Sequence, residues 1–173
     1  MSNFLDKDII RYGGVKKASS AMPRFQRYFR KTAEAKNPLI RALYRKCFYR
    51  TCKKYCVEMS PNIQIGAGLY FGHPYGITIN TGTTLGSNVN IHKGVTIGQE
   101  NRGKRKGVPV IGNDVWIGVN ATIVGNIHIG NDVLIAPNSY VNFDVPNHSI
   151  AIGNPAKLVH RDNATEGYIN NRV

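Results

Sequence analysis

The stretch VIGNDVWIGVNATIVGNIHIGNDVLIAPNSYV (residues 110–141) sets an aliphatic residue at every sixth place: Ile111, Ile117, Ile123, Ile129, Ile135 and Val141. Four places after each stands an apolar or small residue: Val115, Ala121, Ile127, Val133, Ser139 and Val145. A fixed internal period marks a stacked repeat, and a six-residue unit points to a parallel β-helix. One such unit is too short to bury a core, so the aliphatics must stack coil on coil along one axis. Outward from this block, Ile79, Leu85, Ile91 and Ile97 hold an earlier frame, and Met59, Ile65, Phe71 and Ile77 hold another before a two-residue slip. Gly, Asn and Asp beside the aliphatics suit corners with unusual backbone angles. A β-sandwich of short strands also punctuates its aliphatics, but its strands vary in length and keep no frame. Here the frame holds over six consecutive units from Ile111.

The 173 residues suffice for one well-buried domain with an appendage. No run of eighteen apolar residues predicts a transmembrane helix. The opening MSNFLDKDIIRYGG lacks the apolar centre of a secretory signal, so a cytoplasmic protein is expected. Charge is uneven: residues 1–56 hold fifteen Lys/Arg against three Asp/Glu, and residues 57–173 hold eight against seven. Most charge runs are solvated helical faces. Sharper readings are attraction to an anionic membrane surface or to an acidic polymer. Nothing resembles a helix-turn-helix, an RNP motif or a zinc motif, so nucleic acid is not the expected partner.

Three segments follow from these patterns: a basic helical N-terminal segment (1–56), the repeat (57–153) and a C-terminal segment (154–173). Asn37 and Pro38 form a helix-start signal. From there Leu39, Leu43 and Cys47 share one face, with Ile40, Tyr44 and Phe48 beside them, and Arg and Lys elsewhere. That is a basic amphipathic helix expected to cap the β-helix end, with peripheral membrane contact as the alternative. Cys47, Cys52 and Cys56 lack C-x-x-C spacing and a nearby His, so reduced, packed thiols are expected rather than a metal site. The polar loop QENRGKRKGVP (99–109) interrupts the frame; loops of this length are functional or disordered. The residues up to Val173 are expected to be loosely ordered.

The candidate general base is His73, in LYFGHPYGITIN, because a neutral imidazole accepts a hydroxyl proton near pH 7. Glu58, fifteen residues earlier, is close to one eighteen-residue coil away and is a candidate partner for its other ring nitrogen. His92, His128, His148 and His160 take structural readings.

The series VEMSPNIQIGAGLYFGHPYGITI, NIHKGVTIG, VPVIGNDVWIGVNATIVGNIHIG, IAPNSYV and GNPAK resembles the hexapeptide-repeat acyltransferases, in particular the serine acetyltransferases and their relatives that acetylate bacterial polysaccharides. The resemblance spans about residues 57–160. It implies a mainly β, left-handed parallel β-helix, an exception to the right-handed crossover rule. It also implies a homotrimer, or a multiple of one, with active sites between subunits. His73 falls on the family's catalytic histidine, and Glu58 on the aspartate that orients it. Gly98, Gly118, Val119, Pro137, Asn154 and Lys157 would line an acetyl-CoA groove, where small residues and backbone amides suit a pantetheine arm. Backbone amides near Gly98 would stabilise the oxyanion. Arg102, Lys104, Arg105 and Lys106 would meet CoA phosphates, unless the loop is merely solvated. No metal is expected.

Departures matter as well. The Arg-His pair with which serine acetyltransferases grip the amino-acid acceptor is Gly107 and Val108 here, and their Gly-Glu after the catalytic histidine is Asn80-Thr81. A site without those partners should hold a zwitterion poorly. The expectation is therefore an acetyl-CoA-dependent O-acetyltransferase acting on a sugar hydroxyl of a polysaccharide or its precursor. The alternatives are a serine acetyltransferase, a non-catalytic β-helix scaffold, and a docking protein built on the basic arm.

Overall fold

The computed structural model describes residues 3–173. Four helices precede the repeat: α1 (Phe4–Arg11), α2 (Val15–Ala21), α3 (Arg24–Glu34) and α4 (Pro38–Lys54). The sequence marks the start of α4 clearly, and the structure agrees. Asn37 Oδ1 accepts from the Leu39 and Ile40 amides at 2.9 and 3.3 Å, with Pro38 in the first turn.

The chain then winds into a β-solenoid. Coil one contributes β1 (Gln64–Ile65), β2 (Tyr70–Gly72) and β3 (Thr78–Ile79). Coil two contributes β4 (Thr84–Leu85), β5 (Asn90–His92) and β6 (Thr96–Gly98). Coil three follows with β7 (Val110–Ile111), β8 (Val115–Ile117) and β9 (Thr122–Val124), and coil four with β10 (His128–Ile129), β11 (Val133–Ile135) and β12 (Tyr140–Val141). The chain closes with β13 (Ser149–Ile152) and β14 (Lys157–His160). Strands of successive coils pair in parallel, giving three sheets in the orders β1-β4-β7-β10, β3-β6-β9-β12 and β2-β5-β8-β11-β13-β14, the last pair antiparallel.

The six-residue period is the core itself. Ile65, Leu85, Ile111 and Ile129 stand in register up one sheet. Ile79, Ile97, Ile123 and Val141 do so on the second, and Phe71, Ile91, Ile117, Ile135 and Ala151 on the third. All are buried. At the corners Asn88, Asp114, Asn120, Asp132 and Asn138 take positive φ, which Asn and Asp tolerate. Glycine is required at one corner for another reason. A Cβ on Gly112 would lie 2.7 Å from the Gly130 carbonyl oxygen, and Gly66 and Gly86 stack the same way below. Beside this glycine column, the Asn113, Asn131 and Asn147 side chains each accept from the amide one coil earlier.

A solenoid's first coil has an open edge of unpaired backbone groups, which must be covered. Here helix side chains stand in for a missing strand. Arg30 donates to the Ile65 and Gly66 carbonyls, Gln26 to that of Leu69, and Arg11 to that of Gly68. Asp8 accepts from the Leu69 amide, and the Tyr12 hydroxyl accepts from that of Phe71. Asp8 and Arg30 form an ion pair at 2.8 Å, and both are buried. Burial raises the Asp8 carboxyl above its ordinary range, opposed by its bonds to Arg30, Gln26 and the Leu69 amide. Phe25, Phe29, Phe48 and Cys52 extend the solenoid core beneath this lattice.

Two sequence expectations need correction. The Leu39–Leu43 stripe of α4 is not its packed face: Leu39 and Leu43 are exposed, while Phe48 and Cys52, on the opposite side, are buried. Residues 163–173 are docked rather than loose. Asp132 accepts from the Ala164 and Thr165 amides and the Thr165 hydroxyl, and Ile169 is buried.

Candidate active site

The corner between β2 and β3 carries His73, whose φ of +52° turns its exposed side chain outward from the stack. Above it the same corner repeats in every coil. The Gly94 amide bonds the Tyr75 carbonyl, Asn120 that of Lys93, Asn138 that of Val119, and Tyr140 that of Gly153. Four steps of about 4.8 Å make this edge roughly 19 Å long. Gly118, Val119, Pro137 and Asn154 fall along it, so the structure brings these expected groove residues onto one line with His73. Gly118 is buried; a Cβ there would come within 2.6 Å of the Pro137 nitrogen. Lys157 starts β14, opposite Ile152, and is exposed.

Glu58 and Gly98 lie elsewhere. Glu58 bridges Thr78, giving a first-coil step of twenty residues rather than fifteen to eighteen. Pro74, Tyr75 and Gly76 lengthen that turn, which is the slip visible between Ile77 and Ile79. Its side chain faces a shallow groove of about 410 Å³ with Tyr49, Thr78, Asn80 and Thr81. Among the described residues the histidines beside carboxylates are His128, His148 and His160; no such contact joins His73 to Glu58. Gly98 ends β6 on the far border of the β3 sheet, where the 99–109 loop departs. That loop is a small hairpin: Glu100 and Gly107 exchange both backbone bonds, and Arg105 pairs with Glu100 at 3.2 Å. Arg102, Lys104 and Lys106 remain exposed on it.

Two residues stand beside the candidates that the sequence reading did not place there: His92, to which it gave a structural role, and Tyr49. His92 stands in register with Gly72, and its ring fills the space where a Gly72 side chain would sit, against Trp116 at 4.7 Å between centroids. Burial, and then the nearby His73, hold its imidazole below the usual histidine range, and its Nε2 is buried without a partner. The signal was available in the twenty-residue step from YFG to NIH. Tyr49, which reaches the Glu58 groove from α4, left no such signal.

The family described as "Bacterial transferase hexapeptide (six repeats)" matches residues 109–142. Serine acetyltransferase of Helicobacter pylori (strain ATCC 700392 / 26695) is 39% identical over 106 residues, covering 61% of this chain and 62% of that protein. The Staphylococcus aureus (strain Mu50 / ATCC 700699) serine acetyltransferase is 37% identical over 111 residues, covering 64% of this chain and 52% of that protein. By sequence the chain carries a hexapeptide repeat similar to that of the serine acetyltransferases. Solved structures agree. Neisseria gonorrhoeae serine acetyltransferase in complex with serine superposes with a TM-score of 0.61 at 33% identity, covering 79% of this chain and 54% of that one. A serine acetyltransferase in complex with CoA reaches a TM-score of 0.73 at 26% identity, covering 90% and 69%. The chain thus spans between half and two thirds of the length of the curated relatives it matches.

Proposed function

We propose that this chain transfers an acetyl group from acetyl-CoA to a hydroxyl, with His73 as general base. The observation that carries the reading is the single corner edge joining His73 to Gly118, Val119, Pro137 and Asn154, in a repeat like that of the serine acetyltransferases. Lys157 at the end of this edge offers charge to phosphates, and the exposed loop cations Arg102, Lys104 and Lys106 of a neighbouring subunit would add to it. His73 Nε2 or Nδ1 accepts the acceptor's hydroxyl proton as that oxygen attacks the thioester carbonyl carbon. A C–O bond forms, the C–S bond breaks, and the imidazolium returns its proton to the departing thiolate. Within one chain His73 and Gly98 border opposite sides of the β3 sheet. A trimer in which one subunit's His73 edge faces its neighbour's Gly98 loop would complete the site. Glu58 is assigned a positioning role toward His73 in that assembly.

The similarity to serine acetyltransferases favours the serine hydroxyl as acceptor over the sugar hydroxyl expected from sequence. The sugar remains the second reading because of one observation. Gly107 has φ +139°, and a Cβ there would lie 2.9 Å from Asn126 Cβ, so an arginine at 107 would need a rebuilt loop. Val108 packs its side chain over Gly82 instead of offering a polar group.

Thiol release from acetyl-CoA, assayed with L-serine and with a panel of sugars and oligosaccharides, separates the readings. Turnover with serine supports the first and turnover with a glycan alone supports the second. Failure to bind CoA at all would refute both and leave a scaffold.

A further inference from the structure

Helix α4 has two sides with different fates. One side buries Phe48 and Cys52, with half-buried Tyr44 beside them, against α3 and the solenoid end. On the other side, at 3.6 residues per turn, Leu39, Leu43, Lys46, Arg50, Lys53 and Lys54 fall within an arc of about 100°. All six are exposed, Leu39 to 80% and Leu43 to 58%. The order along the helix is graded: the leucines occupy the first two turns and the cations the remainder. From Asn37 to Val57 there is no Asp or Glu, so nothing on the helix neutralises this face.

We infer that this face of α4 docks on an anionic lipid surface, with Leu39 and Leu43 entering the headgroup boundary and the four cations resting on acidic headgroups. This goes beyond acyl transfer and does not depend on it. Three occupants compete, and the observations choose among them. A second copy of α4 would set cation against cation over a face without a carboxylate. A soluble polyanion would satisfy the lysines and arginine but leave two leucines in water, with no reason for their place on the same arc. A bilayer bearing anionic lipid satisfies both, because long basic side chains extend to headgroups while their apolar neighbours enter. The helix lies along the surface and does not cross it; no helix among the described residues is long and apolar enough to span a membrane.

The test uses the full chain and vesicles of phosphatidylcholine, with or without phosphatidylglycerol, in a co-sedimentation assay. The wild type should bind vesicles containing phosphatidylglycerol and ignore those without it. Each cation near the surface contributes about fivefold in affinity, so reversing Lys46, Arg50, Lys53 and Lys54 to Glu should lower binding by more than about a hundredfold. Leu39→Ser with Leu43→Ser should remove the binding that survives high salt. Both variants alter exposed side chains, so thermal unfolding midpoints near the wild type are expected and serve as the folding control. No wild-type binding to phosphatidylglycerol vesicles would overturn the inference. Heparin binding that the leucine variant leaves intact, with vesicle binding also unchanged, would assign the face to a polyanion and overturn it. A smaller assembly for the leucine variant in sedimentation velocity would assign the face to a copy of the chain, and would likewise overturn it.

Discussion

Replacing Arg30 with Ala should cost about 4 kcal/mol of stability at neutral pH, a large fraction of the roughly 5–15 kcal/mol that holds an ordinary domain together. The figure comes from what the guanidinium does. It pairs with buried Asp8 at 2.8 Å and donates to the Ile65 and Gly66 carbonyls on the open edge of the first coil. Breaking one side of a buried ion pair costs about 3–5 kcal/mol, because the remaining charge stays buried without its partner. Stranding a buried carbonyl costs about 1–3 kcal/mol more, although water entering the vacated space offsets part of that. The Asp8 carboxyl is already raised by burial, and removing Arg30 takes away a group that lowers it. A carboxyl whose folded pKa exceeds its unfolded value favours folding at low pH, and that contribution disappears as pH rises through the folded pKa. The deficit of the Arg30→Ala protein should therefore be largest at pH 7 and shrink as pH falls. Urea unfolding followed by circular dichroism, at fixed protein concentration, measures it. Asp8→Ala and the double variant complete a cycle in which the double should cost less than the sum by at least about 2 kcal/mol. A loss below about 1 kcal/mol for Arg30→Ala, or strict additivity, would refute the claim that these side chains act together as the missing strand.

Three further outcomes follow from the same structure. Burial would raise the Asp132 carboxyl, but bonds from the Thr165 hydroxyl, His148 and the Thr165 and Ala164 amides outweigh it and hold it at about 2, against 3.8 for a free side chain. Its stabilisation of the 163–173 tail is therefore present above pH 3.8 and lost as pH falls toward 2, and Asp132→Asn should speed hydrogen exchange of that tail about tenfold or more at neutral pH. Gly112→Ala should destabilise by about 1–3 kcal/mol in thermal unfolding, because its Cβ meets the Gly130 carbonyl oxygen at 2.7 Å in a column with no slack. Burial pushes the Cys52 thiol up to about 12, so iodoacetamide at pH 8 should label exposed Cys56 and spare Cys52 until the chain unfolds, as read by peptide mass.

The solenoid was legible because every coil repeats the same requirement. A strand too short to bury itself needs an inward aliphatic, and the six-residue spacing of Ile111 through Val141 records that need directly. The helix start at Asn37 was equally plain, since capping is local chemistry. The orientation of α4 was not. Two apolar stripes, Leu39–Leu43 and Phe48–Cys52, compete for the core, and the choice depends on where Phe29 of α3 and the solenoid end lie. The docked tail was hidden for a similar reason: Asp132 and Thr165 are thirty-three residues apart, and neither announces the other. At the candidate site, His73 was singled out as a candidate base from its residue type, while Gly118, Val119, Pro137 and Asn154 came from the family resemblance and not from the repeat. The register of Glu58 was misjudged because a lengthened turn at Pro74–Gly76 breaks the count. His92, set against Gly72, needed that same corrected step to be placed.

The measurement closest to the central claim is thiol release from acetyl-CoA by wild type and His73→Ala side by side, with CoA affinity by calorimetry on both. General-base catalysis contributes about a hundredfold to ten-thousandfold, so the variant should lose turnover on that scale while keeping the wild-type CoA dissociation constant and assembly size. A variant that turns over within a few-fold of wild type would contradict His73 as the base, and the reaction would have to be sought elsewhere on the solenoid.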